Sequence, residues 1–124
     1  MKILVVDDQV TMRKVISHIL QELGYKDIKV AEDGVLAFKM LVNGCFDFVI
    51  SDWNMPNMTG IQLLKAIRET EEIKDLPVLL VTAENEKKQV MEAARAGVNS
   101  FIAKPFSGAE LEKKIKIIFP HLKT

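Results

Sequence analysis

The sequence predicts an α/β fold in which a parallel sheet is covered by helices on both faces. Short apolar runs rich in β-branched residues alternate five times with segments of helical periodicity. Parallel strands need long crossover connections, and a helix is the usual one. With 124 residues, 48% of them hydrophobic, the chain is long enough for one domain with a sizeable core.

Five runs are predicted as strands. They are Ile3–Val6, Ile28–Ala31, Phe48–Ser51, Val78–Val81 and Phe101–Ala103. The first, third and fourth are continuously apolar, as is typical of central strands buried on both faces. Lys29 breaks the second run and Ser100 the fifth, which indicates that these two strands form the edges of the sheet.

A helix is predicted after each strand because apolar residues recur there every three or four positions. The first helix carries Met12, Val15, Ile16, Ile19, Leu20 and Leu23, and Gly24 stops it. The next two carry Val35, Phe38 and Leu41, and Ile61, Leu64 and Ile67. The last two carry Val90, Ala93, Ala94 and Gly97, and Leu111, Ile115 and Ile118, with Pro120 as the stop.

The composition excludes several classes of protein. The 17 basic and 17 acidic residues give no net charge, so bulk electrostatics favours neither nucleic acid nor an anionic membrane as a partner. No apolar run approaches the roughly 20 residues that span a bilayer. The apolar N-terminal stretch stops at Asp7 and Asp8, unlike a signal peptide. With Cys45 as its only cysteine, the chain is expected to be a cytoplasmic protein, and we expect a monomer.

Polar side chains follow four of the predicted strands at the point where each strand ends. They are Asp7 and Asp8, Asp52, Thr82, and Lys104. Open parallel sheets bind ligands at the carboxyl ends of their strands. We therefore expect three carboxylates, a hydroxyl and an ammonium to meet at one edge of the sheet.

This set of groups favours phosphoryl chemistry assisted by a metal ion. Two carboxylates ~5 Å apart repel by about 3 kcal/mol at an effective dielectric near 20, so three together need a cation. Oxygen ligands without Cys or His indicate Mg²⁺. Because Mg²⁺ takes one or two carboxylates, one acid remains as a nucleophile toward a phosphoryl group. Alternatively, the acids are ordinary turn and cap residues.

Longer motifs surround these residues. They are Leu4-Val5-Val6-Asp7-Asp8 with Thr11-Met12-Arg13, Ser51-Asp52-Trp53-Asn54-Met55-Pro56 with Gly60, Val81-Thr82-Ala83-Glu84, Ala96-Gly97-Val98 and Lys104-Pro105-Phe106. With these motifs in this order, the sequence resembles the receiver domain of bacterial two-component response regulators over its whole length. Within that family it is similar to the stand-alone chemotaxis regulators.

The resemblance implies a fold and a metal site. The fold is the flavodoxin-like (βα)5 three-layer sandwich, with a five-stranded parallel sheet in the order 2-1-3-4-5. Residues 1–124 would be one receiver domain without an output domain. Asp52 would be the phospho-acceptor. Asp8 and Asp52 would ligate one Mg²⁺ directly, Asp7 through water, and Asn54 through its backbone carbonyl.

The resemblance also implies the roles of the remaining site residues. Lys104 would pair with the phosphoryl group, its bond to Pro105 would be cis, and Thr82 would be the switch hydroxyl. Asn54 and Glu84 would flank the path of the water that removes the phosphoryl group. The output face would comprise the fourth helix, fifth strand and fifth helix, and Phe101, Glu86 and Phe106 are assigned to switching or output.

The implied function is that of a phosphorylated signalling protein rather than an enzyme, since only its own phosphorylation and dephosphorylation are catalysed. A histidine kinase would be the donor, the flagellar motor switch the target, and a phosphatase a possible further partner. Phe101 stands where motor-binding relatives carry Tyr. Glu86 stands where chemotaxis relatives often carry Lys, but it can also be explained as an acid that suits the start of a helix. The alternatives are a phosphate sink or a regulator of another target, a Mg²⁺-dependent small-molecule phosphatase, and a flavin carrier.

Overall fold

Five strands alternate with five helices in the computed structural model, which describes residues 1–83 and 87–121. The strands are β1 Lys2–Val6, β2 Asp27–Ala31, β3 Phe48–Asp52, β4 Val78–Thr82 and β5 Ser100–Ala103. The helices are α1 Val10–Glu22, α2 Gly34–Asn43, α3 Gly60–Glu69, α4 Lys87–Arg95 and α5 Gly108–Ile118. All ten predicted elements are confirmed, with ends that differ by a few residues at most.

The strands form one parallel sheet in the order β2-β1-β3-β4-β5. This confirms the flavodoxin-like order and the two predicted edge strands. The register brings the carboxyl ends of the strands to one edge, because Val6 pairs with Ser51 and Asp52 with Val81. Thr82 pairs with Ala103 at the same edge.

Two hydrophobic cores lie on opposite faces of the sheet. Successive strand residues point to opposite faces, so Leu4 and Val5 of β1 enter different cores. One core is closed by α1 and α5, and the other by α2 and α3 with Ala93 of α4. The three layers explain why β1, β3 and β4 are apolar at nearly every position.

Helix ends follow local rules. Thr59 and Ser107 cap α3 and α5 and form capping boxes with Gln62 and Glu110. Gly97 has a φ of 89°, a left-handed conformation that suits glycine after α4. Among the described helices, none has the combined length and apolar character that crossing a bilayer requires.

Arg68, near the end of α3, joins two connections at the amino end of the sheet, the one from α3 to β4 and the one from α4 to β5. Its guanidinium donates four hydrogen bonds, to the carbonyl oxygens of Gly97 (3.0 Å), Lys74 (2.9 Å) and Leu76 (2.7 Å) and to Asn99 Oδ1 (2.9 Å). Asn99 Oδ1 also accepts a hydrogen bond from the Val78 N–H at the start of β4. Desolvation lowers the pKa of Arg68, and the charge of Asp75 opposes this effect.

We predict that Arg68→Met lowers the free energy of unfolding by about 2–4 kcal/mol, because several acceptors lose their donor. Urea denaturation measures this loss. Arg95→Met is the control, since Arg95 is an exposed arginine at the end of α4. Equal losses in the two variants would contradict a special role for Arg68.

Candidate functional site

The carboxyl edge of the sheet gathers the polar residues that the strand ends predict. Asp7 directly follows β1, Asp52 and Thr82 are the last residues of β3 and β4, and Lys104 directly follows β5. Asp8 is exposed, whereas Asp7, Asp52 and Thr82 are buried. The predicted convergence is therefore present in the structure.

The three carboxylates form one cluster. Asp7, Asp8 and Asp52 each have an oxygen within 4.8 Å of the oxygens of the other two. Asp7 is 0% exposed and Asp52 8%, so water screens their charges poorly. At such separations each pair of charges repels by about 3 kcal/mol at an effective dielectric near 20.

Lys104 supplies a positive charge to this cluster. Its ammonium lies 3.3 Å from Asp52 Oδ1 and 3.5 Å from Asp7 Oδ2. Its backbone N–H donates to the carbonyl oxygen of Thr82 at 2.7 Å, and its peptide bond to Pro105 is cis, as the family resemblance implied. One ammonium against three carboxylates leaves about two negative charges uncompensated.

The surroundings of Asp52 act against its charged form. Burial raises the pKa of the Asp52 carboxyl, and the neighbouring charge of Asp7 raises it further. The ammonium of Lys104 and the backbone N–H of Trp53, which donates to Asp52 Oδ1 at 3.0 Å, pull the pKa in the opposite direction. The carboxylate is thus oriented by two donors in a pocket whose negative charge is only partly compensated.

Asp7 is held in place by one backbone donor and one side-chain donor. Its Oδ1 accepts a hydrogen bond from the Gln9 N–H at 2.9 Å, and its carbonyl accepts one from the Arg13 guanidinium at 2.7 Å. Asp7 Oδ2 is buried and accepts no hydrogen bond from the described residues. This role of Arg13 was not predicted, although its place in the first turn of α1, shortly after the acid pair, is visible in the sequence.

These residues fit a hard divalent cation. Asp7 Oδ2 is buried and accepts no hydrogen bond from residues 1–83 and 87–121, and the Lys104 ammonium 3.5 Å away is shared with Asp52. The cluster can therefore accept a further positive charge, and it offers only oxygen ligands. Oxygen ligands with an excess of negative charge are what Mg²⁺ prefers. The fit therefore rests on both the charge imbalance and the type of donor atom.

We call residues 53–59, which connect Asp52 to α3, the acceptor loop. The N–H of Gly60 donates to the Trp53 carbonyl at 2.8 Å. A Cβ on Gly60 would overlap the backbone carbonyl oxygen of Asp52. The side chain of Trp53 is buried in the core beside α3. The loop therefore returns to the sheet at a position that has no room for a side chain.

Comparison with known proteins identifies the family. A family model described as the response regulator receiver domain matches residues 3–116. This chain belongs to the response regulator receiver family. Its members are signalling proteins rather than classical enzymes, and receiver domains generally bind Mg²⁺ at an acidic pocket.

Individual relatives cover nearly all of this receiver. Chemotaxis protein CheY-3 of Vibrio cholerae is 53% identical over 122 residues, which are 98% of this chain and 94% of the relative. The structure of Vibrio cholerae CheY4 matches with a TM-score of 0.88 at 36% identity, covering 94% and 97% of the two chains. A receiver domain from the sensor histidine kinase PA1611 of Pseudomonas aeruginosa, described with a magnesium ion in its active site cleft, matches with a TM-score of 0.84 at 29% identity, covering 93% of each chain.

The remaining predicted site residues of this receiver lie in different surroundings. Thr82 is buried, and its Oγ1 has no hydrogen-bond partner among the described residues. Asn54 is exposed in the acceptor loop. Phe101 is partly buried against the core of α2 and α3, whereas Phe106 packs against the core of α1 and α5. Glu84 and Glu86 lie outside the described residues.

Phe101 and Phe106 therefore face different surroundings. The Lys114 ammonium of α5 lies 5.5 Å from the centroid of the Phe101 ring. Phe106 lines a groove of about 320 Å³ with Met12 and Val15 of α1. Phe101 instead lines a surface hollow with Lys114 of α5 and Val90 of α4.

We predict that Gly60→Ala lowers the free energy of unfolding by about 2–4 kcal/mol, because the new methyl group overlaps the Asp52 carbonyl. Gly108→Ala is a matched control. Gly108 also begins a helix after a capping residue, but its added Cβ would meet Ile19 at an ordinary 3.6 Å. Urea denaturation of both variants tests this, and a Gly60→Ala variant as stable as the control would contradict it.

We also predict that Asp52→Asn stabilises the receiver in EDTA at pH 7 and raises its Tm by about 3–6 °C. Because the folded-state pKa of Asp52 is raised, the wild type loses stability as pH rises from the ordinary value of 3.8 through the raised value. The amide variant does not undergo this loss. Thermal unfolding from pH 4 to pH 7 should therefore show a gap that widens with pH, and a gap that stayed constant would argue against the prediction.

Proposed function

We propose that this receiver is a phosphorylation-switched signalling protein in which Asp52 accepts a phosphoryl group from a histidine kinase. One observation supports this most directly. Asp52 ends β3 in a pocket where three carboxylates have oxygens within 4.8 Å of each other and an ammonium lies 3.3 Å from Asp52 Oδ1. A buried acid with this charge environment suits transfer of a phosphoryl group to carboxylate oxygen.

In the proposed reaction, a carboxylate oxygen of Asp52 attacks the phosphorus of a phosphohistidine. The new O–P bond forms as the P–N bond breaks, and the leaving imidazole nitrogen takes up a proton. The product is an acyl phosphate on Asp52. The N–H of Trp53 and the ammonium of Lys104, which both contact Asp52 Oδ1, orient the carboxylate for this attack.

The other pocket residues stabilise the transferred group. Asp7, Asp8 and Asp52, with the backbone carbonyl of Asn54, would hold Mg²⁺, which supplies positive charge to the phosphoryl oxygens when bound. Lys104 neutralises part of the charge on those oxygens. The Thr82 hydroxyl has no hydrogen-bond partner among the described residues and is therefore available as a donor to the phosphoryl group.

Phosphorylation would then alter a surface that a target recognises. A phosphoryl group adds charge and three strong acceptors beside Thr82 and Lys104. We propose that a movement of Thr82 is followed by one of Phe101, since Thr82 pairs with Ala103 on the strand that carries Phe101. The face of α4, β5 and α5 is the proposed output surface. Asn54 and Glu84 are proposed to tune the removal of the phosphoryl group.

The proposed setting is chemotaxis. The support is the 53% identity to Vibrio cholerae CheY-3 over 98% of this chain. The flagellar motor switch is the first target to test. Phe101 has no hydroxyl, so a partner that needs a hydrogen bond from this position would bind less well, and a different target would then be favoured.

Intact mass spectrometry tests the central step. We predict that Mg²⁺ and acetyl phosphate add about 80 Da, the mass of the phosphoryl modification, to the wild type. Asp52→Asn should show no adduct and Asp8→Asn a smaller yield. Asp27→Asn should match the wild type, because Asp27 is an exposed acid at the amino end of β2, opposite the edge that carries the pocket. An adduct that persists in Asp52→Asn would overturn the assignment of the acceptor.

A further inference from the structure

The acceptor loop is tied to α2 by one side-chain hydrogen bond. Asn57 donates from Nδ2 to Asp33 Oδ2 at 2.9 Å. Among the described residues, this is the one hydrogen bond that a side chain of residues 54–58 makes to another element. Residues 33 and 57 are 24 positions apart, so the bond joins two separate parts of the chain.

Asp33 uses both of its carboxylate oxygens. Oδ1 accepts a hydrogen bond from the Leu36 N–H at 2.8 Å and so caps the N-terminus of α2, while Oδ2 receives Asn57. The hydrogen bond from Leu36, followed by that from Asn57, lowers the pKa of Asp33. The carboxylate is thus anchored to a helix end when it binds the loop.

Two neighbouring contacts make the junction tight. Asn57 has a φ of 68°, a left-handed conformation that asparagine tolerates better than most residues. A Cβ on Gly34 would lie 2.7 Å from the Met58 carbonyl oxygen and 2.8 Å from Met58 Cβ. Residues 33 and 34 therefore meet residues 57 and 58 without space between them.

The rest of the loop shows why this junction matters. Asp52 and Trp53 are held by β3 and the core, and Thr59 is held by its capping box with Gln62. Between them, Met55 is buried, but Asn54, Pro56 and Asn57 are exposed. The hydrogen bond to Asp33 thus restrains the exposed part of the loop that contains Asn54.

We propose that Asp33 and Asn57 are positioning residues that hold the acceptor loop in the geometry of the phosphorylation site. This inference rests on the proposed function, because the loop carries the Asn54 carbonyl that would bind Mg²⁺. Groups that do not bind the metal themselves but orient its ligands typically change metal affinity by about 10–100-fold when they are mutated. Among the described residues, neither side chain hydrogen-bonds to the acid cluster, so the two residues act through the loop.

Two single variants remove the hydrogen bond while keeping the local backbone. In Asn57→Gly, the glycine adopts the positive φ but has no side chain to donate the bond. In Asp33→Ser, the hydroxyl still caps the helix, but the serine side chain is too short to reach Asn57. Titration with Mg²⁺, followed by Trp53 fluorescence, should give a Kd raised roughly tenfold in each variant. The double variant should be no weaker than either single variant, since all three lack the same bond.

A matched control separates positioning from loss of stability. Asn43→Ala removes a side-chain hydrogen bond to the Lys39 carbonyl at the other end of α2 and should leave the Kd for Mg²⁺ unchanged. Hydrogen exchange in EDTA is a second readout, which needs no metal. The amides of Met58 and Gly60 donate to the carbonyl oxygens of Pro56 (2.7 Å) and Trp53 (2.8 Å). Both amides should exchange faster in Asn57→Gly and Asp33→Ser than in the wild type or the control.

The outcomes distinguish this inference from the proposed function. A wild-type protein that bound no Mg²⁺ would overturn both. A wild type that binds Mg²⁺, together with variants whose Kd stays within twofold of it, would overturn the inference alone. Unchanged exchange at Met58 and Gly60 would also overturn it, as would a double variant whose loss equals the sum of the two single losses.

Discussion

The structure depends on a charge imbalance that its fold creates. Parallel strands of matched register end at one edge, so the acids at the carboxyl ends of β1 and β3 are brought together with a single ammonium from Lys104. Asp7 and Asp52 are buried there, and their repulsion is only partly offset. Such a site favours the binding of a cation. A cation that binds only the folded state relieves the repulsion and stabilises the protein.

The two cores make that imbalance tolerable. Apolar residues on both faces of β1, β3 and β4 fix the strand ends, and the polar groups are the last strand residues or the first residues of the loops that follow. Two further contacts stabilise the backbone at the same edge. Arg13 holds the Asp7 carbonyl, and Gly60 lets α3 begin directly against the Asp52 carbonyl. These contacts fix the backbone that carries the charged groups and so hold the groups close together.

Much of this arrangement was predictable from sequence because its causes are local. A strand buried on both faces is continuously apolar, an edge strand contains polar residues such as Lys29, and the residue after a strand lies at the sheet edge. The contacts that could not be predicted join distant positions. The hydrogen bond between Asp33 and Asn57 and those that Arg68 donates leave no periodic pattern in the sequence. The close approach of Gly60 to the Asp52 carbonyl depends on where α3 packs.

Phe101 shows how the contacts of one ring define the chemistry of a surface position. Its ring packs at the edge of the core shared by α2 and α3, and the Lys114 ammonium lies 5.5 Å from its centroid. An aromatic face and a cation attract each other without any hydroxyl, by an interaction worth about 0.5–1 kcal/mol at exposed sites. Without a hydroxyl, Phe101 also leaves the core without an unpaired polar group if it moves inward. A partner that contacted this position would therefore meet the aromatic ring and the charge of Lys114, without a hydrogen bond from the ring.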